Sequence, residues 1–213
     1  WYYDKKGRKT DNLTDWGLEQ FVTYYKSQGD TKGGKITKDA IFDYVYAVLH
    51  DPIYRETYAL NLKREFPNIP LYPDFWKWSA WGHKLMKLHI GYETVSPSPL
   101  RIVTTTAKRK PGVSLKPVLK ANRAAGEIVL DRETSLTGVP KEAWDYKLAN
   151  RTALEWVLDQ FKEKKPKDQT IREKFNTYRF ERYKPVVIEL LKRVAALSTE
   201  TAKIIAQMER AER

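Results

Sequence analysis

The sequence contains no cysteine, which excludes a disulfide framework, thiolate metal ligands and a cysteine nucleophile. No apolar run approaches the roughly 18 residues that a membrane span needs, and no apolar export segment stands at the start. Both absences fit a reducing cytoplasm. Catalytic spellings are missing too: there is no G-x-S-x-G elbow, no Asn- or Asp-Pro-Pro-Tyr sequence to hold a flipped adenine, and no glycine-rich cofactor loop. Acidic residues are absent from one long stretch, and that absence carries the strongest signal in the chain.

What is present describes an ordered protein. Hydrophobic residues make up 41% of 213, with seven Trp and thirteen Tyr, enough to bury a core in one domain or two closely packed lobes. Lys and Arg number 39 against 27 Asp and Glu, a net charge of +12 that draws polyanions. Seven of those charges lie in residues 101–123, at Arg101, Lys108, Arg109, Lys110, Lys116, Lys120 and Arg123, with no acidic residue among them. Phosphates call for Lys and Arg, and a β-ribbon or loop fits the major groove as well as a helix does. These seven are the candidate DNA-binding residues. A second basic set between Lys162 and Lys184 is diluted by Glu163, Asp168, Glu173 and Glu181 and reads as a mostly solvated face.

Three zones follow one another. Residues 1–93 read as a helical framework: Asp15 is placed to cap WGLEQFVTYYKSQ, and Thr37 to cap KDAIFDYVYAVLH, whose Ile41, Tyr44, Val45, Val48 and Leu49 form one stripe. Asp51 and Pro52 begin a further helix carrying Tyr54, Tyr58 and Leu62, ended by Pro67 and Pro70. Phe75, Trp78, Leu85 and Leu88 are the expected buried side of the next, so Trp76, Trp78 and Trp81 read as core before they read as base-stacking platforms. Residues 94–140 are a β region with basic loops, from LRIVTTT, VSLKPVL and GEIVL. Residues 141–213 return to helix, over PKEAWDYKLAN, RTALEWVLDQFKEKK and a long terminal segment with a stripe from Val187 to Ile204. The order argues for α+β and against a wound parallel sheet.

Several motif-like spellings fail on mechanism. GDTKGGK, from Gly29 to Lys35, matches a phosphate-binding loop, yet a helix precedes it and Ile36 stands where magnesium needs Ser or Thr. His83 and His89 fall on mismatched faces of one helix, with only His50 to help, so no metal is expected. Pro73-Asp74 and the Glu163-x-Lys165 spelling are too far apart to be read as a nuclease set. No catalytic constellation emerges for this chain.

The stretches KITKDAIFDYVYAVLHDPIYRETYALNLKREFPNIPLYPDFWKW and GEIVLDRETSLTGVPKEAWDYKLANRTALEWVLDQFKEKKPKDQTIREKFNTYRF resemble the carboxy-terminal specificity region of type ISP restriction-modification enzymes and related single-chain adenine methyltransferases. The resemblance covers nearly the whole chain and implies one DNA target-recognition domain over residues 1–213, reading an asymmetric duplex site. It implies a longer parent polypeptide with an upstream adenine methyltransferase and an ATP-driven translocase and nuclease, using S-adenosylmethionine, ATP and magnesium. Residues 50–70 would then be framework that fixes the angle of a base-reading surface. An alternative keeps the long terminal helix as a docking element, making the chain an interdomain clamp that binds DNA without sequence preference.

Overall fold

In the computed structural model, residues 2–3, 5–29, 33–105, 115–164, 167–174 and 178–213 are described. They form two compact units, Trp1–Ile90 with Ile204–Arg213 and Gly91–Lys203. The architecture is α+β, helical at both ends around a small antiparallel sheet. Among the described residues no helix is long and apolar enough to cross a membrane.

The first unit opens with β1 (Tyr2–Tyr3) paired antiparallel to β2 (Lys9–Thr10), followed by α1 (Asp15–Ser27). Thr14 rather than Asp15 caps α1, its hydroxyl accepting from Gly17 N, and Asp15 sits in the first turn where a carboxylate suits the helix dipole. Thr37 caps α2 (Lys38–Val48) as expected, and its stripe is buried through Ile41, Tyr44 and Val48. Asp51 caps α3 (Pro52–Thr57), but this helix is shorter than the spacing predicts. The chain breaks at Tyr58, adds one 3₁₀ turn at Asn61–Lys63, and leaves Tyr58 exposed while Tyr54 is buried. The break lets residues 68–72 return along the tyrosines of the other helices.

That return explains the framework. Tyr54 Oη donates to Asn68 O (2.8 Å), Tyr44 Oη to Pro70 O (2.7 Å) and Tyr25 Oη to Tyr72 O (2.7 Å), so three helices hold alternate carbonyls of one extended segment. Tyr44 also accepts from Tyr72 N at 2.7 Å, and burial pushes its phenol up to about 12. Replacing Tyr44 by Phe leaves a buried N–H and a half-buried carbonyl without their partner, an expected loss of about 2–3 kcal/mol, against about 1 for Tyr54→Phe. Urea unfolding of the two variants checks this, and equal losses would show that the second hydrogen bond at Tyr44 carries no extra weight.

Helix α4 (Phe75–Ile90) packs along α2, burying Phe75, Trp78, Trp81 and Leu85; Trp78 and Trp81 are core as expected, while Trp76 is half-buried and packs against its edge. Phe75 stacks on Tyr44 with centroids 5.3 Å apart, and Ile204 and Met208 complete this core.

In the second unit β3 (Arg101–Thr104), β4 (Pro117–Asn122), β5 (Glu127–Asp131) and β6 (Thr134–Thr137) form one sheet in the order β3-β6-β5-β4, every neighbour antiparallel. The helix expected over PKEAWDYKLAN does not form. A single 3₁₀ turn at Lys141–Trp144 buries Ala143 and Trp144, and a hairpin of β7 (Lys147–Leu148) and β8 (Arg151–Thr152) follows, with Ala149 in the left-handed region at φ 58°. Burying Trp144 and reversing at Ala149 overrides the moderate helix propensity of this segment. Thr152 and Glu155 then form a capping box that starts α5 (Ala153–Gln160). After α6 (Gln169–Lys174), α7 (Phe180–Met208) lays Val187, Leu191 and Ala195 against Ile128, Leu130 and Leu136 of the sheet. The stripe on α7 is therefore satisfied by the chain's own core, and it leaves no apolar surface on these positions for docking.

Candidate nucleic-acid interface

The sheet's alternation sorts its side chains onto two faces. Leu136, Ile128 and Leu130 are fully buried on the core face. The register puts Arg101, Thr137, Glu127 and Asn122 side by side across all four strands on the other face, and Val103, Ser135, Val129 and Lys120 in the next row. All eight are exposed or half-buried, so this outer face presents charged, hydroxyl and amide groups together. Arg101 and Lys120 stand on opposite edge strands, which lie about 14 Å apart at the usual strand spacing.

Two turns set this face. At the β5–β6 reversal Asp131 Oδ1 accepts from Glu133 N and Thr134 N, both at 2.9 Å, and its second oxygen meets Lys184 Nζ at 2.6 Å. At the β4–β5 reversal Gly126 adopts φ 60° and its Cα faces Val139 O so closely that a Cβ would lie 3.1 Å from that oxygen. A β-bulge between Pro117 and Lys120, with Leu119 at φ 47° and buried, bends the edge strand.

The expected basic residues divide. Arg101, Lys116 and Lys120 are exposed, and among the described residues none of them has an ion pair. Arg123 does: its Nη2 donates to both oxygens of Glu155 at 2.7 Å. Burial acts to raise the Glu155 carboxyl, but the Arg123 guanidinium and the Thr152 donors outweigh it and hold it below its ordinary range. Lys108, Arg109 and Lys110 lie outside the described residues.

Lys120 and Arg123 share an open groove of about 440 Å³ with Asn150, Arg151 and Lys162, walled by Glu155 and Asp159 of α5. Asp159 meets Lys162 at 2.9 Å and Arg151 at 3.4 Å, and the hydrogen bond from Lys162 keeps its carboxyl low. Arg151 also lies over the Trp156 ring, 5.7 Å from its centroid. Sequence reasoning gave Lys162 only a marginal part and missed Arg151 altogether, because a helical reading of PKEAWDYKLAN hides the hairpin that delivers it to the groove.

The histidines fall elsewhere. His83 faces Asp43 at 3.2 Å, while His50 and His89 come together with ring centroids 5.3 Å apart beside Tyr46, burial and the His50 charge lowering His89 to about 4. Among the described residues no three His, Asp or Glu side chains converge to hold a metal.

A DrdV–DNA complex solved by cryo-EM contains a region 50% identical, covering 99% of this chain with a TM-score of 0.89. A nuclease-deletion mutant of the type ISP enzyme LlaGI with a DNA substrate mimic is 27% identical over 84% of the chain, TM-score 0.62. LlaBIII, a type ISP enzyme bound to DNA, shares the fold at 20% identity over 89% of the chain, TM-score 0.60. The chain spans only 21%, 14% and 12% of those three proteins. Curated protein sequences gave no match. The family model described as the type ISP C-terminal specificity domain matches residues 1–190, most of the chain, and the chain belongs to that family.

Proposed function

We propose that this chain reads a short duplex DNA sequence, as the specificity part of a longer restriction-modification polypeptide. The observation that carries the reading is the half-identical, near-complete likeness to a segment of a protein solved on DNA. The polar outer face of the sheet and its basic edges supply the means: Arg, Asn and Thr side chains suited to base edges, and Lys and Arg suited to phosphates. Arg101, Lys108, Arg109, Lys110, Lys116, Lys120 and Arg123 are the proposed contact set. Of these Arg123 must first give up Glu155.

The parent would carry an upstream adenine methyltransferase and an ATP-driven translocase and nuclease, supplied with S-adenosylmethionine, ATP and magnesium. The small share of each related protein that this chain spans supports that reading. It also implies a cytoplasmic setting, where unmodified duplex DNA is met.

The test is selection of the 213-residue chain against random duplexes at moderate salt, followed by sequencing of the retained pool. An enriched asymmetric motif is expected. Replacing a base-reading arginine should then cost about 1–3 kcal/mol and relax one position, whereas each phosphate-contacting lysine removed should shrink the salt slope by about one. If Lys108, Arg109 and Lys110 are changed together to alanine without effect on affinity, slope or preference, their place in the contact set is lost. Retention without a motif favours the non-specific clamp.

A further inference from the structure

We infer that the groove between β4, the β7–β8 turn and α5 seats the phosphodiester backbone of one DNA strand, and that Glu155 and Asp159 occupy the phosphate positions while DNA is absent. The inference rests on the duplex-binding reading above and adds a surface that residues 101–123 alone do not define. Cations from separate parts of the chain converge on one helix face: Arg123 on Glu155, and Arg151 with Lys162 on Asp159. Glu155 and Asp159 are four residues apart on α5, so their carboxylates lie on one face about 6 Å apart along the axis.

That interval is comparable to the step between successive phosphates of a strand. A carboxylate also accepts charge-assisted hydrogen bonds from Arg and Lys through paired oxygens, as a phosphate does. Lys120 and Asn150 line the same groove, and among the described residues neither is held by a carboxylate. The basic partners Arg123, Arg151 and Lys162 are 46%, 47% and 51% exposed, so water already weakens their pairs and a polyanion competes on favourable terms. Each pair exchanged for a phosphate contact releases a counterion from the DNA.

The two carboxylates then have a consequence for selectivity. They preorganise the cations, yet they repel any backbone laid over them, so they subtract from binding to every sequence alike. Contacts to base edges on the sheet must overcome that subtraction, which penalises non-specific duplex.

Asp159→Asn tests this without touching a helix cap. Binding of the variant chain to a labelled duplex of arbitrary sequence is followed across a salt series. Affinity should rise about three- to tenfold at low salt and the log–log slope should steepen by about one, while Arg151→Gln should weaken binding by a similar factor. Glu200→Gln, the same charge change at an exposed α7 pair with Lys203, is the matched control and should change affinity less than about twofold. Equal gains from Asp159→Asn and Glu200→Gln would overturn the groove, leaving only net charge. A wild-type chain that binds duplex while Asp159→Asn changes nothing overturns the groove and leaves the function intact. A wild-type chain that binds no duplex overturns both.

Discussion

Alanine at Gly82 should unfold the first unit or lower its stability by about 3 kcal/mol, although alanine is the better helix former. Gly82 sits where α4 crosses α2, and a Cβ built on it would lie 1.7 Å from Asp43 O and 2.6 Å from Asp43 C. Both are backbone atoms of a hydrogen-bonded helix, so no side chain can swing aside. The helices would have to separate by more than 1 Å, breaking the Ser79 Oγ bond to Ala40 O and loosening Tyr44, Phe75 and Trp78. The intrinsic gain of about 1 kcal/mol for Gly→Ala does not offset that repulsion. Gly17 offers the contrast within the same unit: its added Cβ would meet only Thr14 Oγ1 and Leu13 at 3.4–3.7 Å, so Gly17→Ala should be neutral or stabilising. Thermal unfolding of the two variants settles the point, and a Gly82→Ala melting temperature equal to the wild type would contradict the close crossing.

The contrast between those glycines shows what a sequence exposes. Local chemistry was legible: Thr37 and Asp51 as caps, Pro52 at a first helical position, and the β-branched runs that become β3, β4 and β5. Periodicity also found the buried faces of α2, α4 and α7, because burial imposes spacing directly. Distant partnerships were not legible. Nothing local says that three tyrosine hydroxyls will hold residues 68–72, and that constraint cuts α3 short. The short strand β6 escaped because TSLT holds no run of β-branched apolar residues, and its pairing depends on the Asp131 turn before it. For the candidate site, charge alone singled out Lys120 and Arg123. Arg151 stayed hidden because its place depends on a hairpin that the composition disguises as helix.

Asp131 is where the sheet's outer face and the core meet energetically, and Asp131→Ala should cost about 3–5 kcal/mol. The carboxylate is only 2% exposed, pairs with Lys184 at 2.6 Å, and ties the β5–β6 reversal through two backbone N–H groups. Alanine removes all of this, leaving Lys184 without its charge partner and two donors unsatisfied. Asp131→Asn keeps an oxygen for those donors and loses only the charge, so its cost should be smaller, about 2 kcal/mol. The pH dependence separates the two contributions. Burial would raise the Asp131 carboxyl, but the hydrogen bond and charge of Lys184, with the N–H groups of Glu133 and Thr134, hold it below the ordinary value. Between the folded value and about 3.9 the unfolded chain therefore binds more protons, so the pair stabilises fully above that range and is lost as acid takes pH through it. Lys184→Met removes the larger supporting contact, so acid unfolding should begin at a higher pH in that variant. Urea titrations from pH 7 downward measure both effects. If Asp131→Ala and Asp131→Asn cost the same, the turn donors contribute nothing, and the register that aligns Arg101, Thr137, Glu127 and Asn122 must be set by the flanking strands alone. If alanine costs more, one buried carboxylate fixes both the hairpin and the row of side chains proposed above to meet DNA, and duplex affinity should fall with stability in that variant while remaining near wild type in Asp131→Asn.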